Sequence, residues 1–276
     1  MTISINYIEA YNLTEYKTCK NPIFDNIDAT YILTLESSSR VPNMNNLFFN
    51  MTKTTYVQFN KGYRSVPKKN VNNTSRDIIH AVKNICLHAR QFKNILILED
   101  DAEPMLGTTH YHLKQVDNFL KKNYVDIYSF GSLGIIYPYY SAKHMKFLGF
   151  LGFGQSLVYS NSVRDDLLKV DITSIKHLDA HFISKQKLKY TYYRPLIVQK
   201  LISSPNQDEW SITVNSKRRF EKTSVKLFIF FINNCLHMDK RLSGWFFLYV
   251  LNHIPVILSF IFLLNMISFI IRNFLI

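Results

Sequence analysis

Short apolar runs alternate with amphipathic segments over residues 1–216 of the chain. Residues 30–35 (TYILTL) and 55–59 (TYVQF) are rich in β-branched and aromatic side chains, which is typical of strands. Residues 95–98 (ILIL) form a continuous apolar run, the kind that is buried on both faces of a parallel sheet. The alternation predicts an α/β fold, with a mostly parallel sheet and helices on both of its faces.

The segments between these strands have the spacing of amphipathic helices. After Ser75, a candidate N-cap, apolar residues recur at helical spacing as far as Phe92. A second helix is indicated over residues 113–120, and a further strand over residues 126–130. Apolar periodicity stops near residue 211, so we expect one folded domain over residues 1–210.

The composition excludes several classes of protein. With 47% hydrophobic residues, the chain is too apolar to be intrinsically disordered, and 8 Gly with 8 Pro exclude a collagen-like protein. The three cysteines, Cys19, Cys86 and Cys235, lie far apart, so neither a disulfide framework nor a zinc ribbon is readable.

Charge and hydropathy together set the C-terminal part of the chain apart. The net charge is +13, and the 8 basic and 2 acidic side chains of residues 217–276 supply +6 of it. Residues 245–271 then contain no charged side chain over 27 positions, whereas a bilayer core needs about 20 apolar residues of helix. This pattern predicts a basic linker over residues 211–244 and a transmembrane anchor over residues 245–271. The alternative is a buried or re-entrant helix pair, because Asn252 and Pro255 interrupt the run.

The charges that flank the anchor predict its orientation. Basic residues precede it and only Arg272 follows, so the positive-inside bias places residues 1–244 in the cytosol, with a single pass through the membrane. Residues 1–13 lack the apolar core of a secretory signal, which agrees with that orientation. Residues 225–236 are apolar but too short to cross, and we expect them at the membrane interface.

Three acidic residues, Glu99, Asp100 and Asp101, follow the apolar run 95–98 without a gap. Open α/β sheets bind their ligands at the carboxyl ends of their strands. Because side chains alternate along a strand, Glu99 and Asp101 are expected to point into the crevice together while Asp100 turns away. Carboxylate oxygens are preferred ligands of hard divalent cations, so a metal site is the functional interpretation. A solvated acidic turn is the alternative.

The sequence around these acids, ILILEDDAEP over residues 95–104, resembles the glycosyltransferases of family 25, the lipooligosaccharide and procollagen galactosyltransferase type. It is most similar to the short forms encoded by large DNA viruses, and the resemblance covers about residues 31–210. YILTLESSSRVPNM is similar to the family's opening strand and Arg-bearing loop, and GFGQSLVYSNSVRDDLL to its small-residue loop, strand and helix. HLDAHFISKQKLKYTYYRPLIVQKLISSPNQDEW resembles its closing block. The family's usual Ser-His pair is replaced here by Thr74, Ser75 and a displaced His80.

The resemblance implies a glycosyltransferase A fold, a Rossmann-like domain that moves a sugar from a nucleotide sugar to a glycan, lipid or protein acceptor. It implies Mn²⁺ (or Mg²⁺) as the cofactor, which would neutralise the departing diphosphate. Asp101 and His181 would be the metal ligands, and Asp179 the general base on the acceptor hydroxyl. The implied nucleotide-sugar-binding residues are Thr34, Arg40, Glu99, Asp100, Gly152 and Gly154.

Two other classes of function remain open from the residues alone. A pI of about 9.5 suits a membrane-tethered polyanion-binding or nucleic-acid-binding protein. Residues 1–216 carry only +7 without a dense basic stripe, so we expect no nucleic-acid partner. A metal-dependent phosphohydrolase could use the same carboxylates, but a two-metal site needs further acidic or histidine clusters, and few exist apart from Asp179 and His181.

Overall fold

The computed structural model describes residues 10–138, 143–152, 154–199 and six positions nearer the C-terminus, 258, 261, 262 and 264–266. Within this part of the chain, nine strands form one sheet in the order β1-β3-β2-β4-β9-β6-β10-β8-β7. The strands are β1 (Tyr11–Thr18), β2 (Ala29–Leu35), β3 (Thr54–Asn60), β4 (Asn94–Glu99), β6 (Ile127–Ser129), β7 (Leu133–Pro138), β8 (His144–Gly152), β9 (Ser156–Ser160) and β10 (Lys189–Tyr192). Two further strands, β5 (Ala102–Pro104) and β11 (Ile197–Gln199), form a separate antiparallel ribbon.

The large sheet contains both parallel and antiparallel strand pairs, so the prediction of a mostly parallel sheet is wrong. β2 pairs in parallel with β3 and β4, and β6 with β10, whereas the other five ladders of the described sheet are antiparallel. β9 runs in the reverse direction between β4 and β6. An apolar strand that is buried on both faces has the same pattern in either direction, so the sequence did not reveal this reversal.

Helices cover both faces of the sheet, as predicted. Helices α1 (Thr74–His88) and α3 (Asn161–Lys169) share a hydrophobic core with the face of β4 that carries Ile95 and Ile97. Helix α2 (His110–Lys122) packs against the opposite face, which carries Leu96 and Leu98. Alternating side chains of one buried strand thus contribute to two cores, and the α/β assignment is confirmed.

Helix α1 begins and ends earlier than the sequence predicted. Its N-cap is Asn73, whose side chain accepts a hydrogen bond from the Arg76 N–H, and not Ser75. The helix ends at His88, and the Phe92 N–H donates to the Ala89 carbonyl in the turn that follows. Asparagine and serine are about equally good caps, so their order in the chain could not decide between them.

A buried arginine fixes helix α3 to the turn between α1 and β4. The Arg164 side chain is only 2% exposed, and its guanidinium donates to the carbonyls of Ala89 (2.6 Å), Phe92 and Lys93 (3.2 Å). Its Nε donates to the Ser160 carbonyl at 3.3 Å. A buried cation is tolerated here because several carbonyl oxygens compensate for the lost hydration.

The predicted linker (211–244) lies outside the described residues, and so does most of the predicted anchor (245–271). The six described positions of the anchor are helical and exposed. No helix within the described residues is long and apolar enough to cross a bilayer.

Candidate active site

The strand order reverses between β2 and β4. From β2 the chain passes to β3 on one side, and then through α1 to β4 on the other side of β2. In open α/β sheets such a reversal opens a crevice at the carboxyl ends of the two strands, where ligands bind. Leu33 pairs with Glu99 at these ends, and the Asp100 N–H donates to the Leu33 carbonyl at 3.1 Å. The acidic triplet therefore lies at the position that the strand-end argument predicted.

Asp100 binds the loop that follows β2. One oxygen of its carboxylate accepts hydrogen bonds from Thr34 Oγ1 (2.6 Å) and Ser38 Oγ (2.7 Å). The other oxygen accepts from Arg40 Nη1 at 3.2 Å. The Asp100 side chain is 13% exposed and that of Arg40 is 31% exposed, so the guanidinium is held at the crevice while part of it faces solvent. Thr34, Arg40 and Asp100, three of the predicted nucleotide-sugar-binding residues, thus form one cluster.

Asp101 has one satisfied and one unsatisfied oxygen. Its Oδ2 accepts a hydrogen bond from Gln199 Nε2 at 2.9 Å, because the pairing of Gln199 with Ala102 places that amide beside it. Its Oδ1 is buried without a hydrogen-bond partner. Burial raises the pKa of Asp101 above its usual range, and the Gln199 bond partly opposes the shift. An unpaired buried carboxylate oxygen is costly, so it marks a position where a ligand could compensate.

Glu99 completes a group of close carboxyl groups. Burial raises its pKa, and the negative charges of Asp101, Asp179 and Asp100 raise it further, in that order. Asp100 meanwhile binds the loop after β2. The site therefore favours either a bound proton or a bound cation.

Asp179 reaches this group from a distant segment. It lies in a single π-helical turn, Leu178–Phe182. Its Oδ1 accepts from the Ala180 N–H at 2.8 Å. A Cβ placed on Gly154 would lie 3.7 Å from the Asp179 Cβ and 3.0 Å from the Leu157 side chain. Gly154 thus lies within ordinary van der Waals reach of this turn, and the Leu157 side chain is the neighbour that a Cβ there would crowd.

His181 is engaged within its own turn. Its Nδ1 accepts a hydrogen bond from the His177 N–H at 3.2 Å, and the two imidazoles stack with centroids 5.7 Å apart. With Nδ1 as an acceptor, the neutral ring carries its proton on Nε2, so a metal would have to displace this hydrogen bond. Its role as a ligand beside Asp101 stays a prediction. Within the described ranges, no group of three or more His, Cys, Asp or Glu side chains could hold a metal ion by itself.

The remaining predicted residues lie at the margins of the site or away from it. Gly152 is the last residue of β8 and pairs with Leu133. His80 is buried under β1, where its Nδ1 is 2.5 Å from the Tyr11 hydroxyl. A surface groove beside β1 and α1 contains none of the predicted site residues. It is lined by Tyr11, Asn12, Leu13, Glu36, Lys61, Asn84, Leu87 and His88.

The structure adds three residues that were given no role from the sequence: Ser38, Gln155 and Gln199. Ser38 and Gln199 donate to the acidic triplet, and Gln155 is buried next to Gly154 with an unpaired amide. Ser38 lies in the predicted loop, Gln155 in the segment GFGQSLVYSNSVRDDLL and Gln199 in the closing block, but the resemblance implies no role for any of the three. The contact between Gln199 and Asp101 joins positions 98 residues apart, which no local pattern reveals.

Comparison with known proteins gives little guidance. No family model and no curated protein sequence matches the chain. Among solved structures 14 chains match, one of which is titled the crystal structure of A197 from STIV. That match has a TM-score of 0.38 and 13% sequence identity, and it covers 60% of this chain and 81% of A197.

Proposed function

We propose that this chain is a metal-dependent glycosyltransferase similar to family 25, which moves a sugar from a nucleotide sugar to a glycan, lipid or protein acceptor. The observation that carries the proposal is the buried, unpaired Oδ1 of Asp101, beside Glu99 and Asp179 at the carboxyl end of β4. A glycosyltransferase A fold is part of the proposal. The acids at the reversal of strand order support it.

The carboxylate oxygens of the site are suitable ligands for Mn²⁺ or Mg²⁺. Hard cations of this kind are often held by one or two carboxylates together with substrate phosphates, without a complete cage of protein ligands. Asp101 offers an unpaired oxygen, and the repulsion among Glu99, Asp101 and Asp179 would be relieved by a positive charge. Asp101, with Glu99 beside it, would hold the cation, and when bound the cation would neutralise the diphosphate that leaves the sugar.

Arg40 is the proposed contact to the donor phosphates. Its guanidinium has a fork of N–H donors, and the contact with Asp100 fixes one of its nitrogens at the crevice while leaving others for a phosphate. Thr34 and Ser38 hold the Asp100 carboxylate in place for that purpose. Asp100 is therefore assigned a positioning role, since both of its oxygens are already engaged.

Asp179 is the proposed general base. Sugar transfer requires the proton of the acceptor hydroxyl to pass to a nearby group as the new glycosidic bond forms. The Ala180 N–H donates to the Asp179 carboxylate and holds that carboxylate in one orientation. Asp208 and Glu209 are the next candidates for this role, and they lie outside the described residues.

Donor turnover by the full-length chain tests the proposal. The chain is incubated with UDP-glucose, UDP-galactose or GDP-mannose, with Mn²⁺ or with EDTA, and the products are followed by chromatography. When water replaces the acceptor, cleavage of the bond between the sugar and the β-phosphate oxygen yields free sugar and nucleoside diphosphate. We expect this release for at least one donor in Mn²⁺ only. Release of inorganic phosphate from the nucleoside diphosphates instead would support a phosphohydrolase.

A membrane location is proposed from the sequence of residues 217–271. The basic residues would lie at the anionic cytosolic surface, and residues 245–271 would span the bilayer once. Full-length chain synthesised in the presence of phosphatidylcholine–phosphatidylserine vesicles should float with them and resist carbonate extraction. Extraction of the chain by carbonate would contradict the anchor.

A further inference from the structure

Gln155 carries a buried amide that has no partner. The residue is 1% exposed, and both the oxygen and the nitrogen of its side chain are buried without a hydrogen bond. Gln58 provides the contrast at equal burial. Its Nε2 donates to the Ala81 carbonyl at 2.9 Å, and its Oε1 accepts from Asn84 at 2.7 Å. A buried amide is normally satisfied in this way, so the unpaired state of Gln155 needs an explanation.

The ladder between β4 and β9 places Gln155 at the acidic site. Ser156 pairs with Leu98, and the Glu99 N–H donates to the Gln155 carbonyl at 2.9 Å, so the ladder continues to Gln155 and Glu99. Residues opposite each other in an antiparallel ladder direct their side chains to the same face. The preceding residue, Gly154, lies within van der Waals reach of Asp179. Gln155 therefore belongs to the same end of the sheet as the acids of the proposed site.

The chemistry of a carboxamide restricts what could satisfy it. The amide offers N–H donors and a carbonyl acceptor side by side, and it carries no charge. A cation could engage only the oxygen, and a phosphate only the nitrogen. Hydroxyl groups both donate and accept, so a pair of neighbouring sugar hydroxyls satisfies both atoms of the amide.

We propose that Gln155 binds hydroxyl groups of the transferred sugar and so contributes to the choice of donor. This inference rests on the proposed function, and it assigns a contact that neither the acidic triplet nor the Arg40 cluster supplies. The unpaired amide lowers the stability of the free protein and is compensated only when the sugar is bound. A nucleotide sugar without a hydroxyl group in reach of the Gln155 amide would leave that amide unpaired and would bind more weakly.

The first measurement tests whether the amide is unpaired in the free protein. Gln155→Leu and Gln58→Leu remove the same group from two equally buried positions of the full-length chain. Gln58→Leu breaks two hydrogen bonds and should lower the melting temperature, whereas Gln155→Leu should leave it unchanged or raise it. A matching loss of stability in both variants would overturn the premise.

The second measurement separates the sugar from the nucleotide. Binding of UDP-glucose, UDP-galactose and GDP-mannose, and of UDP and GDP, is measured by calorimetry with Mn²⁺ for the wild-type chain and Gln155→Leu. For whichever nucleotide sugar the wild type binds, Gln155→Leu should bind about tenfold more weakly or worse. Its affinity for the parent diphosphate should be unchanged. If Gln155→Leu fails to fold, Gln155→Met takes its place.

The outcomes distinguish the two proposals. Equal binding of the nucleotide sugar by both proteins overturns the role of Gln155 and leaves the proposed function standing. Equal weakening of sugar nucleotide and diphosphate also overturns it, because the amide would then act on the nucleotide. If the wild type binds neither the nucleotide sugars nor the diphosphates, the proposed function fails, and the role of Gln155 fails with it.

Discussion

Gln199 donates a hydrogen bond of 2.9 Å to one oxygen of Asp101, and the other oxygen of that carboxylate is buried and unpaired. The bond connects β11 to the residue that immediately precedes β5, and so holds the carboxylate in one orientation at the carboxyl edge of the sheet. A carboxylate with one fixed and one free oxygen is suited to a single external partner.

Glu99→Gln should stabilise the free protein and impair its function. The pKa of Glu99 is raised from 4.5 to about 8 in the folded protein. Between these pH values the unfolded chain loses the proton that the folded chain keeps, so the free energy of unfolding falls as pH rises. Glutamine removes this loss of stability. The variant should therefore melt at a higher temperature than the wild type at pH 8, and the difference should shrink towards pH 4. It should also bind Mn²⁺ more weakly. A lower melting temperature at pH 8 would contradict the clustering of the carboxyl groups.

His144 should make the fold sensitive to acid. It is 4% exposed, it stacks on Phe119 at 4.2 Å, and its Nδ1 is 2.9 Å from the Tyr128 hydroxyl. Burial, with a contribution from Lys143, lowers its pKa from 6.5 to about 4. Between pH 6.5 and pH 4 the unfolded chain therefore binds a proton that the folded chain does not bind. The free energy of unfolding falls as pH drops through this range.

The measurement is the unfolding free energy by urea between pH 4 and pH 7. His144→Gln should flatten its pH dependence, although His80, whose pKa burial lowers in the same direction, will keep part of it. The matched control is His110→Gln at an exposed position, which should leave the slope unchanged. An unchanged slope in His144→Gln would contradict the assignment.

Arg164→Leu should destabilise the fold strongly. The substitution removes the guanidinium donor from the carbonyls of Phe92 and Lys93 and leaves the Ala89 carbonyl with the Phe92 N–H alone, at a cost of about 3 kcal/mol or more. Arg90→Leu changes an exposed arginine of the neighbouring turn and should stay within about 0.5 kcal/mol of the wild type. Urea unfolding of both variants makes the comparison, and equal stabilities would mean that the buried network contributes nothing.

Asp179 and His181 should differ in effect, although they share one turn. Asp179→Asn should lower turnover by roughly a hundredfold, the usual scale of lost proton transfer, with little change in nucleotide affinity. His181→Ala should change the Mn²⁺ concentration for half-maximal activity only slightly, because the His181 Nδ1 already accepts a hydrogen bond from the His177 N–H. A large rise in the Mn²⁺ requirement of His181→Ala would instead identify His181 as a metal ligand, as the resemblance implies.

The sequence predicted the central elements because their physics is local. The apolar runs of β2, β3 and β4 were each located to within a residue, and the acids after β4 followed from the rule for strand ends. The reversal of β9 was missed, since burial on both faces hides strand direction. The partners of Asp101 and Glu99 were missed for another reason. Gln199 and Gln155 reach them through strand pairing, which depends on the whole sheet.

Turnover by Asp101→Asn tests the central claim most directly. The substitution keeps the size of the side chain and its neighbour Gln199 but removes the charge that would face the cation. Full-length wild type and variant are compared for folding by thermal melting, and for Mn²⁺-dependent release of nucleoside diphosphate from the donor that the wild type uses. The account predicts a folded variant whose turnover falls by about a hundredfold or more, since several kcal/mol of charge stabilisation are lost. A folded Asp101→Asn protein with the wild-type rate would contradict it.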